Sequence, residues 1–116
     1  MKHLLTGVLL LAVLLAIGGT VSAQKPRTFT GTITDNVCAT EGHAAMRMGP
    51  SDAECARICV MSHGSGYFVL ADGKNVYKLS DEAAAEKLAG EKVRVVGRLD
   101  AKTNTIQVQS IAAAGK

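Results

Sequence analysis

The chain has 116 residues, 47% of them apolar, 20% charged and 3% aromatic, with no Trp. That length accommodates one domain and argues against two, and the apolar fraction is too high for an intrinsically disordered chain. A net charge of +3, from 13 basic and 10 acidic residues, lacks the dense basic face that nucleic-acid binding needs.

Met1-Lys2-His3 is a short basic start, and Leu4 to Ile17 is apolar except for Thr6 and Gly7. Val21-Ser22-Ala23 then offers small residues before Gln24. These are the n-region, h-region and cleavage site of a secretory signal peptide. The apolar run is short for a membrane span, which needs about 20 residues. The expectation is a leader over residues 1–23 and a periplasmic or secreted domain over 24–116. Membrane contact is expected only through the leader before cleavage.

Thr28 to Asp35 alternates strictly, with Phe29, Gly31 and Ile33 on one face and Thr on the other. This is a half-buried first strand, rich in β-branched residues. Tyr67 to Ala71 is a second strand. Asp72-Gly73 follows as a two-residue hairpin signal, and Lys74 to Leu79 is the third strand. Ser80 reads as an N-cap, Ala83 to Ala89 as a short helix, and Gly90 as its stop. Lys92 to Leu99 is the fourth strand, with Val93, Val95 and Leu99 facing inward. Thr105 to Ile111 is the fifth, and residues 112–116 are expected to fray. Five strands with a helix between the third and fourth predict an all-β domain with short helices, a five-stranded OB-like β-barrel. An SH3-like barrel asks for no helix there.

Residues 37–66 break the alternation and form an insertion between strands one and two. Every Cys of the chain, and every His and Met beyond the leader, lies between positions 38 and 63. Ser51 and Glu54 form a capping box after Pro50, which predicts a helix from Asp52 to about Ser62. Cys55, Cys59 and His63 are spaced i, i+4, i+8 and share one stripe of that helix. Residues at i and i+4 have Cβ atoms about 5–6 Å apart, and a disulfide needs about 3.5–4.5 Å. Cys55 and Cys59 are therefore not expected to pair with each other.

Two readings of the insertion stay open. In one, export favours a disulfide, Cys38–Cys55 or Cys38–Cys59, and closing that loop stabilises the domain by about 3 kcal/mol. The third Cys is then a buried thiol and the Met side chains fill the core. In the other, Cys38, His43, Met46, Met48, Cys55, Cys59 and His63 are ligands of a soft metal, copper or zinc. No standard zinc or blue-copper spacing is present.

Other chemistries lack support. Cys55-x-x-x-Cys59 is not a C-x-x-C motif, so a thioredoxin-like exchange site is unsupported, although among enzymatic readings a thiol-redox role is still the least unsupported. Val60 after Cys59 argues against covalent haem attachment. There is no G-x-S-x-G, H-E-x-x-H or P-loop. Asp35 and Glu41 read as solvated acids near a loop.

The chain resembles a family of short exported bacterial proteins of unknown function with an OB-like barrel. The pieces that carry this are Gly31-Thr32-Ile33-Thr34-Asp35-x-x-Cys38, Cys55-x-x-x-Cys59-Val60 and Asp72-Gly73-Lys74-x-x-Tyr77-x-Leu79. Ala89-Gly90-x-x-Val93-x-Val95-x-Gly97-x-Leu99-Asp100 and Ile106-x-Val108-x-Ser110-Ile111 complete the set. The resemblance implies export and a β-barrel, and no activity. The expected function is a non-enzymatic binding or accessory module holding a metal or small ligand on the insertion. The alternative is a disulfide-stapled domain that contacts a partner protein and holds no metal.

Overall fold

The computed structural model describes residues 24–44, 47–62, 64 and 66–115. The expected leader and two candidate ligands, Met46 and His63, lie outside these residues. The elements in chain order are β1 (Arg27–Asp35), α1 (Cys38–Glu41), α2 (Asp52–Ser62) and β2 (Phe68–Ala71). β3 (Val76–Leu79), α3 (Glu82–Lys87), β4 (Lys92–Asp100) and β5 (Thr105–Ala113) follow. Over the described residues the domain is mostly β, with one five-stranded sheet and three short helices. Among the described residues no helix is long and apolar enough to cross a membrane.

The sheet closes in a ring in the order β1-β2-β3-β5-β4. β1 makes this possible because it serves two neighbours. Its first half pairs with β4, from Arg27↔Gly97 to Thr32↔Lys92. Its last residues pair with β2, from Thr32↔Ala71 to Asp35↔Phe68. At the changeover, Gly31 faces the Ala71 carbonyl, where an added Cβ would stand 2.5 Å from the oxygen. The absence of a side chain lets the two backbones approach. The ring is completed by parallel pairing of β3 with β5, Lys78↔Thr105 and Leu79↔Ile106.

The alternation read in β1 and β4 sets the interior. Phe29, Ile33, Phe68, Leu70, Leu79, Val93, Val95 and Ile106 form the main core. Ala56 of α2 and Ala85 and Ala89 at α3 are buried with them. Small residues at those points let the helices lie close to the sheet. Gly90 has φ of +80°, and an added Cβ would meet the Ala53 backbone at 2.8 Å. The start of α2 therefore rests directly on the turn that ends α3.

Local details differ from the sequence expectations for identifiable reasons. The β2–β3 connection is a four-residue loop over residues 72–75, not a two-residue turn. Asp72 N–H donates to the Asn75 carbonyl, and the Asp72 carboxylate accepts from the Lys74 and Asn75 N–H groups. That Asx turn holds Lys74 and Asn75 out of the strand. The cap of α3 is Asp81, whose side chain accepts from Ala84 N, because the Ser80 hydroxyl accepts from Val108 N–H in β5 instead. Residues 112 and 113 do not fray. They pair with Arg94 and Val93, and Ala114 N–H donates to the Lys92 carbonyl.

Candidate metal centre

The insertion folds against the end of β1. Asp35, the last residue of the strand, turns the chain. Its Oδ2 accepts the N–H of Val37 at 3.1 Å and of Cys38 at 3.0 Å, which satisfies donors that a helix start leaves open. The single turn of α1 follows, closed by Gly42 N–H donating to the Cys38 carbonyl at 2.8 Å. This four-residue helix is too short to leave a periodic trace in the sequence. It places Cys38 inward and brings His43 back toward β1, where Nε2 pairs with the Thr34 hydroxyl at 3.1 Å.

α2 runs over Asp52–Ser62, as the capping box implies. Ser51 Oγ accepts the Glu54 N–H at 3.2 Å, which is the N-terminal half of that box. Arg57 ties α2 to α3 by donating to the Glu86 carbonyl at 3.1 Å. The i, i+4 spacing turns Cys55 and Cys59 to the same inner side, and both are fully buried. Cys38, Cys55 and Cys59 make a small core of their own beside the main one, with Met48 packed on it.

Cys38 Sγ and Cys59 Sγ are 4.0 Å apart, whereas a disulfide requires about 2.05 Å. The expected staple is therefore not formed in this structure, neither Cys38–Cys59 nor Cys38–Cys55. The three sulfurs sit as thiols. Met48 Sδ lies 3.8 Å from Cys59 Sγ, and Met48 N–H donates to Cys55 Sγ at 3.3 Å. Met61 is no core filler: it is 81% exposed.

Two sets of three potential ligands meet here. Cys38, His43 and Cys55 have ligand atoms all within 4.8 Å of one another, and so have Asp35, Cys38 and Cys59. Of the residues expected as metal ligands, the structure thus gathers Cys38, His43, Met48, Cys55 and Cys59. The residue that sequence reasoning passed over is Asp35. It is fully buried, not solvated, because α1 and α2 close over the end of β1. The spacing Asp35-x-x-Cys38 was a usable signal, since an acid three residues before a buried Cys is the pattern of a side chain capping a turn.

The electrostatics of the pocket disfavour further negative charge. Burial pushes the Cys38 thiol far above its ordinary range, and the adjacent Asp35 carboxylate and Cys59 push it the same way. Cys59 is raised too, by burial first and then by the Asp35 charge. The one salt bridge among the described residues is Arg47–Asp52 at 3.0 Å, on the surface, so Asp35 has no cationic side-chain partner there. Among the described residues, two buried side-chain nitrogen or oxygen atoms lack a hydrogen-bond partner, Asp35 Oδ1 and His43 Nδ1. Both belong to the cysteine pocket. Buried polar atoms are nearly always satisfied, so two exceptions in one place single out this pocket. Neither a curated protein nor a solved structure matches the chain. Over residues 59–114, from Cys59 through the whole sheet beyond β1, the chain is similar to a family described as Protein of unknown function (DUF5818).

Proposed function

We propose that this chain is an exported, non-enzymatic binding module that holds a soft metal ion, copper or zinc, on the insertion between β1 and β2. The observation that carries the reading is the pair of unpartnered buried atoms, Asp35 Oδ1 and His43 Nδ1, beside three thiols. Thiolate and imidazole are the donors that suit these metals. Cys38, Cys55 and Cys59 are at most 4% exposed, and a closed site of this kind retains an ion without presenting it to a substrate. Export rests on the leader pattern of residues 1–23. The ring order β1-β2-β3-β5-β4, with α3 between β3 and β4, supports an OB-like barrel, a fold that uses its first inter-strand loop for ligands.

The test is a competition titration against a chromophoric chelator. The full chain, leader included, is expressed in a bacterial host and purified reduced and without oxygen. It should withdraw Cu(I) or Zn(II) from the chelator, and a Cys38→Ser/Cys55→Ser/Cys59→Ser variant should not. If the reduced protein takes no more of either metal than the variant, the pocket is a packing feature and the partner-binding domain becomes the better account.

A further inference from the structure

Building on the reading of the insertion as a metal site, we propose that the pocket holds two divalent ions, zinc being the type, bridged by the sulfur of Cys38. One ion takes Cys38, His43 and Cys55, and the other takes Asp35, Cys38 and Cys59.

Geometry is the first support. The candidate ligands fall into two sets of three that share Cys38 alone, each with its ligand atoms within 4.8 Å of one another. The five residues do not form one set at that spacing, so no single ion reaches all of them. Two sulfurs bound to one zinc at about 2.3 Å stand about 3.8 Å apart in tetrahedral and about 4.0 Å apart in trigonal geometry. Cys38 Sγ and Cys59 Sγ are already separated by 4.0 Å.

The second support is the placement of the unsatisfied atoms. His43 belongs to the first set and Asp35 to the second, and each carries one of the two unpartnered buried atoms, Nδ1 and Oδ1. Each set thus has a vacant buried donor of its own, where a single ion would leave one of them unexplained. In both residues the other polar atom is anchored. His43 Nε2 is engaged by Thr34, and Asp35 Oδ2 by the N–H groups of Val37 and Cys38. Cys55 Sγ accepts the Met48 N–H. Anchoring of this kind orients metal ligands and keeps their free lone pair aimed at the ion.

Charge is the third support. A cysteine binds a metal as its thiolate, so with all three ligated the sulfurs and the Asp35 carboxylate carry four negative charges in a buried pocket. Uncompensated buried charge is costly. One divalent ion in either set leaves one charge unbalanced, the cysteine outside that set staying a thiol, and two copper(I) ions leave two. Two divalent ions bring the pocket to neutrality.

Native mass spectrometry of the reduced full chain titrated with Zn(II) under nitrogen tests this. The wild type should fill to two zinc ions per chain. Asp35→Asn and His43→Ala should each fill to one, and Cys38→Ser should hold neither. Co(II) gives an independent readout that needs no variant to fold. Its paramagnetic resonance signal should rise with the first equivalent and fall with the second, as the bridging sulfur couples the two ions. A wild type that stops at one zinc, an Asp35→Asn variant that still fills to two, or a Co(II) signal that doubles overturns the bridged pair and leaves a single-ion site standing. A wild type that binds no zinc or Cu(I) overturns the metal reading itself.

Discussion

The Asp35 carboxylate holds the backbone N–H of Cys38 at 3.0 Å through Oδ2, while its Oδ1 is buried with no partner. One side chain therefore does two things: it starts the turn that delivers Cys38, and it places a carboxylate beside the sulfurs of Cys38 and Cys59. Substitution separates the two. Asp35→Ala removes the cap and should lower the stability of the reduced, metal-free protein by about 1–2 kcal/mol, the usual loss for a capping side chain. Asp35→Asn keeps an oxygen for the two N–H groups and removes the buried charge, so its denaturant midpoint should stay at or above that of the wild type. Equal losses in both variants would show that the charge, not the cap, is what the turn requires.

Oxidation should join one pair of sulfurs and not the others. Cys38 and Cys59 face each other at 4.0 Å across two separate elements, so a small movement of α1 brings them to bonding distance. Cys55 and Cys59 are one turn apart on the same helix, where regular geometry keeps their Cβ atoms too far apart. Mild oxidation of the metal-free protein should yield a Cys38–Cys59 link, with Cys55 as the thiol alkylated after unfolding. Peptide mapping checks the assignment. The link should raise stability by about 3 kcal/mol, as loop closure of this size does, in Cys55→Ser as well as in wild type and not in Cys59→Ser.

Gly90 supports the site from a distance. Its φ of +80° and the Ala53 backbone at 2.8 Å from a would-be Cβ leave no room for a side chain. Gly90→Ala forces a left-handed conformation that costs a non-Gly residue about 1–3 kcal/mol, and it lifts the first turn of α2. Chemical denaturation should show at least that loss. Cys55 sits two residues beyond Ala53 in the same turn of α2, so alkylation of the native protein should also become faster. Loss of stability without faster alkylation would mean that α2 moves as a rigid unit and carries its cysteines with it.

The elements that follow a local rule were legible in the sequence. Alternation in residues 28–35 and 92–99 gave the inner faces of β1 and β4, and Ser51 with Glu54 gave the start of α2. The confinement of Cys, His and Met to one insertion marked the pocket. What was not legible depends on packing between distant segments. Asp35 reads as a solvated acid until α1 and α2 cover it. Ser80 reads as a cap until β5 claims its hydroxyl. Cys38 and Cys59 are 21 residues apart, and no local pattern states that α2 brings Cys59 within 4.0 Å of Cys38.

The acid limb of stability offers a test at Glu82. Its carboxylate accepts the Phe68 N–H at 3.2 Å, at the point where β2 passes α3. Burial raises it above its ordinary value of 4.5, with the Phe68 hydrogen bond opposing and the Glu86 charge assisting. A raised carboxyl means that the folded protein holds this proton more tightly than the unfolded chain. The unfavourable contribution is therefore absent below the unfolded value, grows as pH rises through the interval between the unfolded and folded values, and is constant above it. Gln keeps an acceptor for the Phe68 N–H and carries no charge. Glu82→Gln should be more stable than wild type at neutral pH, and the two should converge as pH falls below the ordinary carboxyl range. Denaturant midpoints of the reduced proteins measured across that range decide it. A variant less stable than wild type at neutral pH would show that the charged hydrogen bond to Phe68 outweighs the cost of desolvation at this position.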